Sequence, residues 1–229
     1  MRPGVETLTE LPILRGFRES EIRDLNELGD LARVGPGEVL YREGERLDAL
    51  HVLVDGYVAE TTSNSKETPI TDVIAPVTPI DLPSIILDIP TASATMTITS
   101  TRIVLLPAKP LRSMLSAHAE LANSVLSQSL REMRAQRAEV ANLKLLSSVQ
   151  RLAGFILSCV TDPDQSPARI ILPYEKRFLA AKIGCSQENL SRAFAALRPF
   201  GVYSERGVVI VRDLDVLKAY QRKRSRIPA

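Results

Sequence analysis

Within the stretch SQENLSRAFAAL, Glu188, Ser191 and Arg192 bring a carboxylate, a hydroxyl and a guanidinium into five consecutive positions. On a helix turning about 100° per residue they share one face with Ala195, while Leu190, Phe194 and Leu197 line the opposite face. None of the three is placed to attack an electrophile or move a proton, so the chemistry available to them is hydrogen bonding. An arginine fork pairs with guanine O6 and N7, and a carboxylate accepts from the amino group of cytosine. A glutamate near phosphates would be repelled unless it contacts a base or orients Arg192. The plainer alternative is a surface i,i+4 ion pair between Glu188 and Arg192, contributing a few tenths of a kcal/mol.

Such a helix needs elements that aim it. Upstream, YEKRFLAAKI has helical spacing and stops at Gly184, whose freedom at positive φ suits a tight turn. Ser186 is the expected N-cap of the next helix, and Ala180 is small enough to let the two helices approach closely. The pair reads as a helix-turn-helix, a motif that places the N-terminal residues of its second helix over the base edges of the major groove. Gln187, Glu188, Ser191 and Arg192 are therefore the expected base-reading residues. Downstream, VYSERGVVIV reads as a β-hairpin turning at Glu205-Arg206-Gly207, a wing. Lys176, Arg177, Ser186, Asn189, Arg198 and Arg206 are the expected backbone contacts, which position a protein on the duplex without reading sequence. The terminal QRKRSR reads as a solvated chain end.

Charge supports a polyanionic partner. Residues 1–145 hold 15 Lys/Arg against 20 Asp/Glu, net −5; residues 146–229 hold 14 against 7, net +7. No apolar run approaches the roughly 18 residues of a membrane span, and MRPGVETLTELP lacks the build of a secretory signal. Cys159 and Cys185 are far apart, so neither a disulfide framework nor a metal cluster is expected, and the chain is expected in the reducing cytoplasm without membrane contact.

The N-terminal half must supply the remaining architecture. SEIRDLNELGDLA, residues 20–32, has helical periodicity after Ser20, an expected N-cap. From Val34 to Leu106, apolar pairs punctuated by Gly37, Gly44 and Gly56 predict short strands closing into a β-roll. From Pro110 the sequence runs to Leu143 without Gly or Pro and predicts one long helix. Leu126, Leu130, Met133, Arg137 and Val140 step by four and three along it, the seam of a parallel helix pair with a polar register point. The expected fold is α+β: a β-roll sensor with its N-terminal helix over 1–109, a dimerisation helix over 110–145, and a winged helix-turn-helix over 146–229.

Three segments together carry a resemblance. PGEVLYREGERLDALHVLVDGYV resembles the cyclic-nucleotide-binding β-roll of the Crp/Fnr transcription regulators, 110–143 their dimerisation helix, and the end their winged helix-turn-helix. Glu188, Ser191 and Arg192 match the E-x-x-S-R pattern of the Fnr-like branch, and EKRFLAAKIGCSQENLSRAFAALRPFGV resembles the FtrB-like regulators. The resemblance implies a bacterial homodimer that binds an inverted repeat in double-stranded DNA, works with RNA polymerase, and answers a small-molecule effector at the roll. Members that respond to cyclic nucleotides carry a Gly-Glu-Leu segment and an Arg-Ser pair in the phosphate pocket. Here the region reads IDLPSIILDIPTASATM, with Leu82 near the acid and Ala92-Ser93 in place of the pair. Gln136 and Arg137 take the positions on the long helix that would meet the base. The effector region is thus Leu82, Ala92, Ser93, Gln136 and Arg137, and it argues against cAMP, since an anion without its arginine would be poorly compensated. An iron–sulfur cluster would need more thiolates than two. Haem would need His51 or His118 as axial ligand, and a lone histidine in LHVLV reads as a packing residue. No metal set and no catalytic constellation emerges, so enzymatic activity is not expected. The alternative function is a ligand-binding β-roll protein that works through protein partners, with its helix-turn-helix as a docking surface.

Overall fold

The computed structural model describes residues 8–9, 11, 14, 17–62, 69–162 and 166–222. Most of the opening MRPGVETLTELP, and the basic end beyond Arg222, lie outside these residues. The chain falls into two compact units, one ending at Arg134 and the other beginning at Ala135.

In the first unit the described elements are α1 (Glu19–Leu28), β1 (Asp30–Val34), β2 (Val39–Tyr41), β3 (Ala49–Asp55), β4 (Val58–Thr61), β5 (Ile70–Ile74), β6 (Thr78–Ile80), α2 (Leu82–Leu87), β7 (Ala94–Thr97), β8 (Thr101–Pro107), α3 (Ala108–Ala117) and the start of α4 (Ala119–Leu145). Two antiparallel four-stranded sheets, ordered β1-β8-β3-β6 and β2-β7-β4-β5, form the expected roll. Along β3 and β8, Leu50, Val52, Val104 and Leu106 turn inward onto the helices, so the strands follow the period of two that half-buried sheets require. Leu25 of α1, Ile85 of α2, Leu111 of α3 and Leu121 of α4 complete that core.

Two expectations are corrected here. The helix expected over 20–32 spans Glu19–Leu28, and its N-cap is Arg18 rather than Ser20; the Glu21 carboxylate accepts from the Arg18 backbone N–H at 2.7 Å. It stops at Gly29 because the next residues pair with β8, from Asp30 opposite Leu105 to Val34 opposite Thr101. The helix expected to run unbroken from Pro110 is bent at His118, which takes extended backbone (φ −129°, ψ 101°). Leu111 before the break and Leu121 after it both enter the roll's core. Little hydrogen bonding is lost, since His118 N–H still donates to Met114 O at 3.1 Å and its carbonyl accepts from Leu121 and Ala122.

The second unit holds the end of α4, then α5 (Ser148–Ser158), β9 (Ala168–Ile171), α6 (Lys176–Ile183), α7 (Gln187–Leu197), β10 (Val202–Glu205), β11 (Val208–Val211) and α8 (Leu214–Arg222). Leu146 and Ser147 separate α4 from α5. Ser147 caps α5 reciprocally with Gln150, Oγ accepting from the Gln150 N–H at 3.3 Å and Oε1 accepting from the Ser147 N–H at 3.1 Å. The sheet is antiparallel, ordered β10-β11-β9. Val202, Val209, Val211, Ala168 and Ile170 on its inner face close on Leu152, Ile156, Leu179 and Leu190 of the helices.

Candidate nucleic-acid interface

The helix-turn-helix forms as its sequence predicts. α6 ends where Gly184 adopts a left-handed conformation (φ 69°, ψ 47°) and donates to Ala180 and Ala181 carbonyls. Ser186 Oγ accepts from the Asn189 backbone N–H at 3.2 Å and opens α7. Leu190, Phe194 and Leu197 are buried, joined by Ala193, which the sequence reading did not place in the core. Each fully buried side chain of the Leu or Phe type contributes roughly 1.5–3 kcal/mol. The apolar face therefore holds the helix, and the other face is free of structural duty.

On that free face Gln187, Glu188, Ser191, Arg192 and Ala195 are all exposed. Arg192 Nη2 donates to Glu188 Oε1 at 2.6 Å, with both side chains 73% accessible. An ion pair so open to water contributes a few tenths of a kcal/mol at best, too little to account for two charged residues here as a stability device. Both groups of the pair remain accessible to a partner on this face.

The expected backbone contacts surround this helix. Lys176 and Arg177 open α6, both exposed; Lys176 Nζ lies 5.6 Å from the Phe194 ring centroid, and Arg177 pairs with Glu175 at 3.2 Å and lies over Phe178. Ser186 and Asn189 stand at the N-terminus of α7, where orphan N–H groups and the helix dipole favour a phosphate oxygen. Arg198 follows the last turn of α7. Arg206 occupies the tip of the hairpin: with Gly207 it forms a two-residue turn at φ 48° and 81°, both in the left-handed region as a type I′ hairpin requires. Arg206 is almost fully exposed, 93%.

Arg169 is a residue that the sequence reading missed. On β9 it stands in register with Ile210 of β11, which pairs in turn with Tyr203 of β10. Arg169, Arg198 and Arg206 line one open groove of about 800 Å³ over the outer face of this sheet, and Arg212 stacks on Tyr203 at 4.7 Å. Only three-dimensional pairing brings residues 169, 198 and 206 together, so no local signal pointed to Arg169. Cys185 is half-buried against the second core; burial pushes its thiol pKa up, with Arg151 opposing the shift. That is the setting of a small apolar plug rather than of a reactive thiolate.

The seam residues Leu126, Leu130, Met133 and Val140 are 42–56% exposed along α4, with Arg137 exposed among them. In the first unit, Leu82 opens α2 and is buried in the roll's core, Ala92 is exposed and Ser93 is half-buried before β7. Gln136 and Arg137 are exposed on the part of α4 that belongs to the second unit. The roll's interior holds buried polar atoms that the sequence reading did not single out: the Tyr41 hydroxyl, Asp81 Oδ2 and Thr95 Oγ1. Tyr41 faces Thr95 across the β2–β7 pairing. Burial, with the nearby carboxylates of Asp81 and Glu60, raises its phenol pKa above the usual value. His51 lies edge-on to Tyr41 at 5.5 Å, with Nδ1 3.1 Å from the Ala49 carbonyl, and burial lowers its pKa. Among the described residues, no group of three or more His, Cys, Asp or Glu is arranged to hold a metal ion, and no helix is long and apolar enough to cross a membrane.

Comparisons with known proteins agree with this architecture. Residues 31–118 match the cyclic nucleotide-binding domain and residues 150–220 the Crp-like helix-turn-helix domain. A crystal structure from Ruegeria pomeroyi, provisionally described as a cyclic nucleotide binding protein, is similar at a TM-score of 0.70 and 23% identity, over 95% of this chain and 96% of that one. FixK2 from Bradyrhizobium japonicum is similar at 0.69 and 20%, over 83% and 96%. The c-di-GMP responsive global regulator CLP from Xanthomonas campestris is similar at 0.68 and 13%, over 86% and 100%. At these identities the likeness is one of fold. No curated protein matches in sequence. A cyclic nucleotide-binding domain followed by a Crp-like helix-turn-helix domain, on this shared fold, places the chain in the Crp/Fnr family of DNA-binding transcription regulators.

Proposed function

We propose that the protein is a homodimeric regulator that reads an inverted repeat in double-stranded DNA through α7, in the manner of the FtrB-like branch, under control of a signal received at the roll. The observation that carries this reading is the exposed, paired Glu188–Arg192 on a helix otherwise held by apolar packing. Gln187 and Ser191 flank the pair, and the basic groove beside the wing supplies charge for the sugar-phosphate backbone. The apolar stripe on α4 supports dimerisation, since Leu126, Leu130, Met133 and Val140 are large side chains left in water by a single chain. A two-fold dimer would set its two α7 helices on half-sites about one helical turn apart, roughly 10–10.5 bp. Selection of binding sites from random duplex DNA tests this. Enrichment of an inverted repeat is expected, and enrichment of none contradicts the reading.

In this reading the signal is unidentified and cAMP is not the expected one. The segment 80–96 contains no arginine; the two that reach α2 from elsewhere, Arg46 and Arg112, are engaged with the Asp88 carboxylate and, for Arg112, the Ile85 carbonyl, and the roll's interior presents a buried carboxylate oxygen on Asp81 and two hydroxyls. Burying a phosphate against that carboxylate would cost more than its remaining contacts return. Saturating cAMP is accordingly expected to leave the melting temperature unchanged; an upward shift that grows with cAMP concentration would refute this.

A further inference from the structure

We propose that Arg151 is a positioning residue for DNA reading, a clamp that sets the angle of α7 against the end of α4; the inference rests on the dimeric, inverted-repeat reading above. Arg151 lies in the first turn of α5 and its guanidinium reaches two helix ends at once. Nε donates to Ile183 O at 2.7 Å and Nη2 to Gly184 O at 3.1 Å, at the close of α6. Nη1 donates to Leu146 O at 2.6 Å and, more weakly, to Leu143 O at 3.4 Å, at the close of α4. The last carbonyls of a helix lack partners within it and carry the negative end of its dipole. A cation that satisfies both sets binds both ends together. The divergent donors of a guanidinium suit this task, whereas the compact ammonium of lysine cannot span two such sets.

Two further contacts act at the same joint. Lys182 Nζ of α6 meets Glu139 Oε1 of α4 at 3.3 Å. The Leu143 side chain lies so close over Gly184 that a Cβ there would stand 2.6 Å from its Cδ2. Gly184 is two residues before Ser186, the cap on which α7 begins. The end of the helix that carries the dimer seam is therefore tied to the turn that aims the reading helix, and all of these contacts lie within the second unit. A dimer built this way holds its two reading helices at a set separation, and so discriminates between half-site spacings. A residue that merely stabilised the fold would affect all spacings alike.

The test uses the full chain as wild type, Arg151→Gln and Arg151→Lys, with the selected inverted repeat and copies whose half-sites are moved apart by one and two base pairs. For a coupling of ordinary size, wild type should lose about tenfold or more in affinity on the altered spacings, and Arg151→Gln no more than about threefold. Base preference within each half-site should stay unchanged, and Arg151→Lys should resemble Arg151→Gln. A folded Arg151→Gln with wild-type spacing discrimination overturns this inference alone. Failure of both variants to fold assigns Arg151 to stability and overturns it as well. A wild type indifferent to spacing overturns the dimer reading together with the clamp.

Discussion

The division of labour around α7 is set residue by residue. In the proposed reading Arg192, paired with Glu188 at 2.6 Å, would present a fork to the base edges, whereas Arg206, 93% exposed at the tip of the hairpin, would act as a positive charge. Arg206→Ala should therefore weaken binding to every sequence alike and reduce the slope of log affinity against log salt by about 1, as the loss of one phosphate contact requires. Anisotropy titrations across a salt series would show it; a sequence-dependent loss would mean that the wing tip reads bases. At this scale the sequence was informative wherever the cause was local. The Ser186 cap, the Gly184 turn and the hairpin at Arg206-Gly207 each depend on a residue's own backbone preference or a neighbour within three positions. Arg151 was not legible, because its acceptors at Ile183 and Gly184 lie 32 and 33 residues away and are backbone carbonyls that any residue could have offered. Nor was the group of Tyr41, Asp81 and Thr95, which three separate elements bring into one interior.

Among the elements, α4 departs most from its sequence reading. Its apolar steps of four and three were visible, but not the break at His118, where no Gly or Pro marks the change of backbone. The bend leaves the seam intact, since Leu126 to Val140 lie beyond it on one continuous helix. If those residues face a second copy, a charge placed among them is buried without a partner on dimerisation and opposes its equivalent across the two-fold axis. Leu130→Glu, 49% exposed in the single chain, should leave the fold unaffected while converting the dimer to monomer in sedimentation equilibrium. A dimer of unchanged strength would remove α4 as the seam. Helix α1 shows the converse limit: its periodicity continued past Leu28 in sequence, but pairing of Asp30–Val34 with β8 overrode it.

For the whole molecule, the acidic N-terminal stretch and the basic C-terminal one, net −5 and +7, carry the cyclic nucleotide-binding domain and the Crp-like helix-turn-helix domain respectively. A signal can act only through its differential affinity for two arrangements of the dimer, and the joint between α4 and α7 is where such a difference would reach the reading helices. The central claim is that α7 reads bases through its exposed polar face. Its most direct test is the binding profile of wild type and Arg192→Ala on one library of duplex sites covering every single-base change of the selected repeat. The account predicts that Arg192→Ala loses discrimination at one position in each half-site, symmetrically placed, worth about 1–3 kcal/mol, with the remaining positions unchanged. A profile lowered uniformly at all positions, or not changed at all, would contradict it.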